Sequence, residues 1–160
     1  MGSNRTGEMP PPAVNGPDGS WASSAGVRRS MRSNRSEDTT PEVLVRSELQ
    51  RAGLRFRKHF RPHPGARTTI DIAFTKWRLG VFVDGCFWHG CPDHKRVRPV
   101  TNAAWWAEKL DGNIARDRTT DARLRADGWT ILRCWEHEDV SSVVARVAAT
   151  LRDLQNQAGE

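Results

Sequence analysis

Thr69-Ile70-Asp71-Ile72-Ala73-Phe74 and Leu79-Gly80-Val81-Phe82-Val83-Asp84 are two apolar runs separated by a short turn through Thr75-Lys76. Runs of this length, rich in β-branched and aromatic residues and bounded by turn signals, read as strands, and their spacing predicts a central hairpin. One residue breaks the apolar pattern of the first strand. Asp71 stands between Ile70 and Ile72, where an unpaired carboxylate costs several kcal/mol, on the order of 2–7, unless it is solvated or neutralised. It is either a strand-end aspartate facing solvent or capping a neighbouring loop, or a ligand for Mg²⁺, a hard cation that takes carboxylate and carbonyl oxygen. The second strand ends in Val83-Asp84-Gly85, so its backbone carbonyls or the Asp84 carboxylate are placed to reach the same ion.

Working outward, Thr40-Pro41-Glu42 predicts a helix start, with Thr40 as the capping hydroxyl, and Gly53 its end. Leu44, Val45, Leu49 and Ala52 recur between them at helical spacing. Residues 54–61 alternate like a strand, with Leu54, Phe56 and Phe60 on one face and Arg55, Arg57, His59 and Arg61 on the other. A loop rich in Cys, His, Gly and Pro covers 85–100, and helical patterns follow over 103–111 and 113–126, with a break or bend expected at Gly112. Gly128 is a stop, 129–135 a fourth strand, and Val140, Val143, Val144, Val147, Leu151 and Leu154 mark one face of a last amphipathic helix. The order α-β-β-β-α-β-α predicts an α/β sandwich around a mixed sheet.

The chain has 160 residues and a formal net charge of +6, a length that suits one domain with tails. Residues 1–29, rich in Pro, Gly, Ser and Asn, read as a disordered tail. The folded domain is expected over 30–157, with 30–40 as an N-terminal arm. No apolar run is long enough to span a bilayer and no signal-peptide core is evident, so a soluble cytoplasmic protein is expected. Arg51, Arg55, Arg57, Lys58, Arg61 and Arg67 fall within 51–67 without an acid, which favours a polyanionic partner and gives a candidate backbone clamp.

Three cysteines cannot all pair. Cys86-x4-Cys91-x2-His94, with His137 from the end of the last strand, supplies the four thiol and imidazole ligands of a closed structural zinc site, with Asp93 as a substitute for His94. Cys134 is expected to point into the core. His89 is placed to take a proton from an attacking water. Of the seven tryptophans, Trp77, Trp129 and Trp135 read as core, whereas Phe87, Trp88 and Trp106 have the chemistry of a wedge entering a base stack.

Taken together, Val83-Asp84-Gly85-Cys86-Phe87-Trp88-His89-Gly90-Cys91-Pro92 resembles the signature of the very-short-patch-repair (Vsr) DNA mismatch endonucleases. Met31 to Arg35, Asp38 to Glu42, Gly53 to Arg57, Trp106 to Lys109, Asn113, Arg116-Asp117, Gly128-Trp129 and Trp135-Glu136-His137 extend the similarity over about residues 30–140. The resemblance implies a restriction-endonuclease-like fold with a structural zinc. It also implies Mg²⁺-dependent nicking of one DNA strand 5′ of the thymine in a T·G mismatch left by deamination of 5-methylcytosine.

By position, Asp71 would be the Mg²⁺ carboxylate, Val83 would give its carbonyl to metal, His89 would activate water, and Glu42 and Asp117 would support the site. Cys86, Cys91, His94 and His137 would hold zinc. Phe87, Trp88 and Trp106 would intercalate, with Met31 acting from the other groove. Arg55, Arg57, Lys58, Lys109, Asn113 and Arg116 would contact the DNA backbone. Expected partners are double-stranded DNA with a T·G mismatch, mismatch-repair proteins and a companion DNA cytosine methyltransferase. A nucleoid-associated bacterial monomer without membrane association is implied.

The chain departs from the best-known pattern at several positions. Val83 stands where that pattern has threonine, Asp84 where it has histidine, Cys91 where it has histidine and Asp93 where it has cysteine. The rival readings are a restriction-associated or other nicking endonuclease and a zinc-stabilised DNA-binding module without catalysis.

Overall fold

A computed structural model describes residues 37–94 and 103–159. Met31, the tail over 1–29 and most of the arm over 30–40 lie outside the described residues. The two apolar runs form the expected hairpin, β2 (Ile70–Phe74) and β3 (Leu79–Asp84), paired antiparallel with Ile72 opposite Val81. β1 (Arg57–Phe60) adds antiparallel to β2, and β4 (Thr130–Trp135) adds parallel to β3, giving a mixed sheet of order β1-β2-β3-β4. A parallel pair needs a long crossover. Here it is supplied by α2 (Cys86–His89) and α3 (Ala103–Ala126).

Alternation along the strands divides the sheet into two working faces. Ile72, Phe74, Leu79, Val81 and Cys134 pack with Val45 and Leu49 of α1 (Thr40–Arg51) and Val143, Val147 and Leu151 of α4 (Val140–Gln157). Ala73, Phe82 and Ile131 turn to the other face with Leu124, Trp129 and Ile70, the last departing from the alternation of Ile72 and Phe74. That second face carries α3. Cys134 is core on the first face, as expected, and Trp129 is buried on the second. Among the described residues, no helix is long and apolar enough to cross a membrane.

Four local expectations are corrected. The helix cap is Thr39 rather than Thr40: Glu42 N–H donates to Thr39 Oγ1, and Thr39 Oγ1 donates back to Glu42 Oε1 at 2.9 Å. The acid three residues after the hydroxyl selects Thr39 by this reciprocal arrangement. Gly112 does not interrupt α3, which runs unbroken for 24 residues. One helical glycine costs about 1 kcal/mol against alanine, and the turns on either side are held by buried Trp106, Leu110, Asp121 and Leu124. The loop after β3 opens with one helical turn, Cys86–His89, which Gly90 ends in the left-handed conformation.

Finally, the first strand is four residues long, not eight. His59 takes φ 47°, which breaks the alternation and sends Phe60 to Trp129 on the second face while Leu54 and Phe56 stay with the first.

Candidate active site

A cleft of about 1070 Å³ opens at the end of the sheet where β2 begins and β3 ends, bounded by the start of α1, α2 and the middle of α3. Asp71, Glu42, Val83, Asp84, His89 and Asp117 all line it. These residues are far apart in sequence, and the hairpin register together with the α2–α3 crossover brings them to one place.

Asp71 sits at the floor. Its Oδ2 accepts a hydrogen bond of 2.9 Å from Val83 N–H across the hairpin. Burial pushes its carboxyl up to about 7; the neighbouring Glu42 and Asp84 carboxylates add to the rise, while the Val83 N–H and His59 oppose it. No Lys or Arg among the described residues forms an ion pair with it. A desolvated acid without a counter-charge is a poor structural element and a good cation ligand.

His89 lies at the end of α2, with its Nδ1 2.7 Å from Asp117 Oδ2 on α3 and 3.8 Å from Asp84 Oδ1. Burial alone lowers its basicity, but the Asp117 and Asp84 carboxylates outweigh it and the net shift is upward. The bond to Asp117 fixes the ring and leaves Nε2 to accept a proton. Glu42 is 3% exposed. Its carboxylate accepts the Thr39 hydroxyl at 2.9 Å and Asp38 N–H at 3.0 Å.

Asp84 is a different matter. Both its oxygens are taken by Arg133 Nη1, at 2.9 and 2.7 Å, so the expectation that its carboxylate is open to an ion finds it already paired. Arg133 drew no attention in the sequence, being one basic residue in an apolar strand. The available signal was the same as for Asp71, a charge amid strand residues. Arg46 was missed in the same way: buried on α1, it contacts Asp38, His59 Nε2 at 3.2 Å and Glu42 Oε2 at 3.7 Å. Asp38, Glu42 and His59 cluster closely enough to suggest a cation site, but the Arg46 guanidinium already supplies the positive charge among them.

Beside the cleft, donor atoms of Cys86, Cys91, His94 and His137 all lie within 4.8 Å of one another. Cys86 Sγ is 3.0 Å from His137 Nδ1, and Cys91 Sγ is 3.5 Å from His94 Nδ1. Asp93 instead approaches His137 Nε2 at 3.4 Å. The four residues predicted from spacing are therefore brought together, and they can hold a metal ion. Glu136 Oε1 accepts Cys86 N–H at 2.7 Å, tying the end of β4 to the same turn.

The aromatic residues also converge. Phe87 and Trp88 line the cleft, and Trp106 is buried behind them with ring centroids 5.7 and 6.0 Å away. Asn113 donates to the Trp88 carbonyl at 3.3 Å and accepts from Arg116 at 2.7 Å. Lys109 lies over the Trp105 ring. Of the basic window, Arg67 reaches the cleft, where Arg116 and Arg123 of α3 join it. Arg55 and Arg57 do not: they line a separate depression at the turn end of the hairpin with Lys76 and Trp77. Lys58 is exposed, 3.8 Å from Asp38.

The family described as DNA mismatch endonuclease Vsr matches residues 24–95. The type II nicking enzyme V.NaeI of Lentzea aerocolonigenes is 46% identical over 134 residues, covering 82% of this chain and 80% of its own length. The chain belongs to the Vsr family. The type II nicking enzyme V.XorIIP of Xanthomonas oryzae pv. oryzae is 40% identical over 119 residues, covering 73% of this chain and 85% of its own. The DNA mismatch endonuclease Vsr of Escherichia coli K12 is 34% identical over 108 residues, covering 68% and 67%. Membership of the Vsr family makes the chain a DNA endonuclease, and its cleft brings carboxylates, His89 and arginines together.

Proposed function

We propose that this Vsr-family enzyme nicks one DNA strand on the 5′ side of the thymine in a T·G mismatch, using Mg²⁺ at Asp71 and a structural zinc beside it. The observation that carries the reading is the convergence, in one cleft, of a half-buried carboxylate at Asp71 with no Lys or Arg paired to it among the described residues, a carboxylate-oriented imidazole at His89 and two half-buried aromatic rings at Phe87 and Trp88. The residues fit both metals. Asp71 and the neighbouring Val83 carbonyl are hard oxygen donors, and two thiols with two imidazoles are the donor set of a closed zinc site.

When bound, Mg²⁺ supplies positive charge to the attacked phosphate and the leaving oxygen. The chain's own residues do the rest. Asp71 anchors the cation, and Glu42, fixed by Thr39, adds a second acid at the rim. His89, its Nδ1 held by Asp117, takes a proton from the attacking water at Nε2. Arg67, Arg116 and Arg123 meet DNA phosphates along the cleft. Phe87 and Trp88 form the wedge, while Trp106, expected to intercalate with them, is buried behind and supports their rings; opening a base stack is least costly where pairing is already weak.

A thymine opposite guanine arises from 5-methylcytosine, so a companion DNA cytosine methyltransferase and mismatch-repair proteins are the partners this reading calls for. The naming of several relatives as type II nicking enzymes favours a second reading, in which the same centre serves a restriction–modification setting and nicks at a site of different sequence. Binding and cutting of one duplex by wild type and Asp71→Ala test the assignment: cutting is lost while affinity stays, and cutting by the variant at the wild-type rate would overturn it.

A further inference from the structure

One guanidinium stands among three carboxylates behind His89. Arg133 Nη1 donates to both oxygens of Asp84 at 2.9 and 2.7 Å. Its Nε and Nη2 reach Asp121 at 3.2 and 2.9 Å. Asp117 Oδ1 is 3.6 Å from Nη2, near enough for attraction but without a short bond. The Arg133 guanidinium lies over the Phe82 ring, 4.7 Å from its centroid. A planar fork with five donors suits this task, and lysine cannot reproduce it.

Two acids face the same imidazole nitrogen: Asp117 at 2.7 Å and Asp84 at 3.8 Å. A ring with one N–H toward them satisfies only one acid. Asp84 also lines the cleft with Asp71, where a free carboxylate would offer a cation another ligand. On the reading that Asp71 and His89 do the chemistry, we propose that Arg133 is a positioning residue: by clamping Asp84 and Asp121 it withholds Asp84 from the cation site and leaves His89 to Asp117. The triad thereby converts an acid that would compete at both places into a fixed wall of the cleft.

Arg133→Met and the neutral triad Asp84→Asn/Arg133→Met/Asp121→Asn test this in the full chain. The readouts are single-turnover nicking of a T·G duplex, DNA affinity and the Mg²⁺ concentration at half-maximal rate. Misplacement of a reacting group by about 1 Å costs on the order of 100-fold. Arg133→Met should therefore cut roughly 100-fold more slowly with unchanged DNA affinity, and its Mg²⁺ midpoint should fall because Asp84 becomes available. The neutral triad should recover to within about tenfold of wild type, with the midpoint returned.

Arg133→Met at the wild-type rate would overturn the proposal. So would a folded, DNA-binding neutral triad that stays as slow as the single variant, since the guanidinium itself would then be touching the substrate. Should Arg133→Met fail to fold, the neutral triad decides alone: a rate within about tenfold of wild type supports the proposal, and a folded, DNA-binding triad slowed roughly 100-fold overturns it. A wild-type protein that cuts no duplex would refute the reading beneath the proposal instead.

Discussion

Replacing Asp71 by Asn should destroy activity and stabilise the protein. Asn is isosteric and keeps an oxygen for the Val83 N–H, so the change removes little except the charge. The carboxyl moves from an ordinary 3.8 to about 7 on folding, chiefly through burial. At 1.36 kcal/mol for each tenfold, that gap corresponds to about 4 kcal/mol.

The sign follows from proton counting. Between those two values the folded chain keeps a proton that the unfolded chain has released, so wild-type stability falls as pH rises from about 4 to about 7 and stays reduced above. Asp71→Asn removes that penalty. Its advantage should be near zero at pH 4 and reach about 4 kcal/mol at pH 8, or roughly 10 °C in Tm for a chain of this size. Urea and thermal unfolding at the two pH values measure it, in buffer without added Mg²⁺ and without chelator, so that metal held by the Cys/His cluster is not stripped. Added Mg²⁺ should raise the wild type toward the variant by binding only the folded state. Equal stability of the two proteins at pH 8, or the same difference at both pH values, would refute the claim that Asp71 is a desolvated acid with no Lys or Arg paired to it.

Three further outcomes are expected. The rate of nicking should rise with pH through a limb set by His89, above the ordinary histidine value because Asp117 and Asp84 outweigh burial; Asp117→Asn should move that limb to lower pH and slow the plateau, and an unmoved limb would remove His89 as the base. His94→Ala should lower bound zinc, measured by metal analysis of the purified protein; full retention would return the fourth place to Asp93. Arg67→Ala and Arg123→Ala should each reduce the salt dependence of DNA affinity by about one phosphate contact, whereas Arg55→Ala should leave it unchanged if its depression lies off the DNA path; a reduced slope for Arg55→Ala would restore the wider clamp.

Much of this was legible in the chain itself. The hairpin, the fourth strand and the last helix follow from period and composition, because each buries a face that only one pattern can supply. Asp71 was visible as a charge among apolar neighbours, and the Cys/His set as spacing plus one distant histidine. What escaped depends on partners distant in sequence. Thr39 rather than Thr40 caps α1 because Glu42 answers it from one turn away. Gly112 stays helical because tertiary packing of Leu110 and Leu124 outweighs its propensity. His59 leaves the β region in company with Asp38 and Arg46. Arg133 acquires its meaning only when β4 docks parallel to β3 and faces Asp84, and Arg55 and Arg57 part from the cleft because the strand carries them to the other end of the hairpin.

The central claim is that mismatch opening and strand cutting meet in this one cleft. It is tested most directly by comparing kcat/KM on duplexes identical except for T·G or C·G at one position, with both strands labelled and Mg²⁺ present. Cutting of the thymine strand alone, 5′ of the mismatched base, with little on the C·G duplex, is the expected result. Equal cutting of the two duplexes would contradict it.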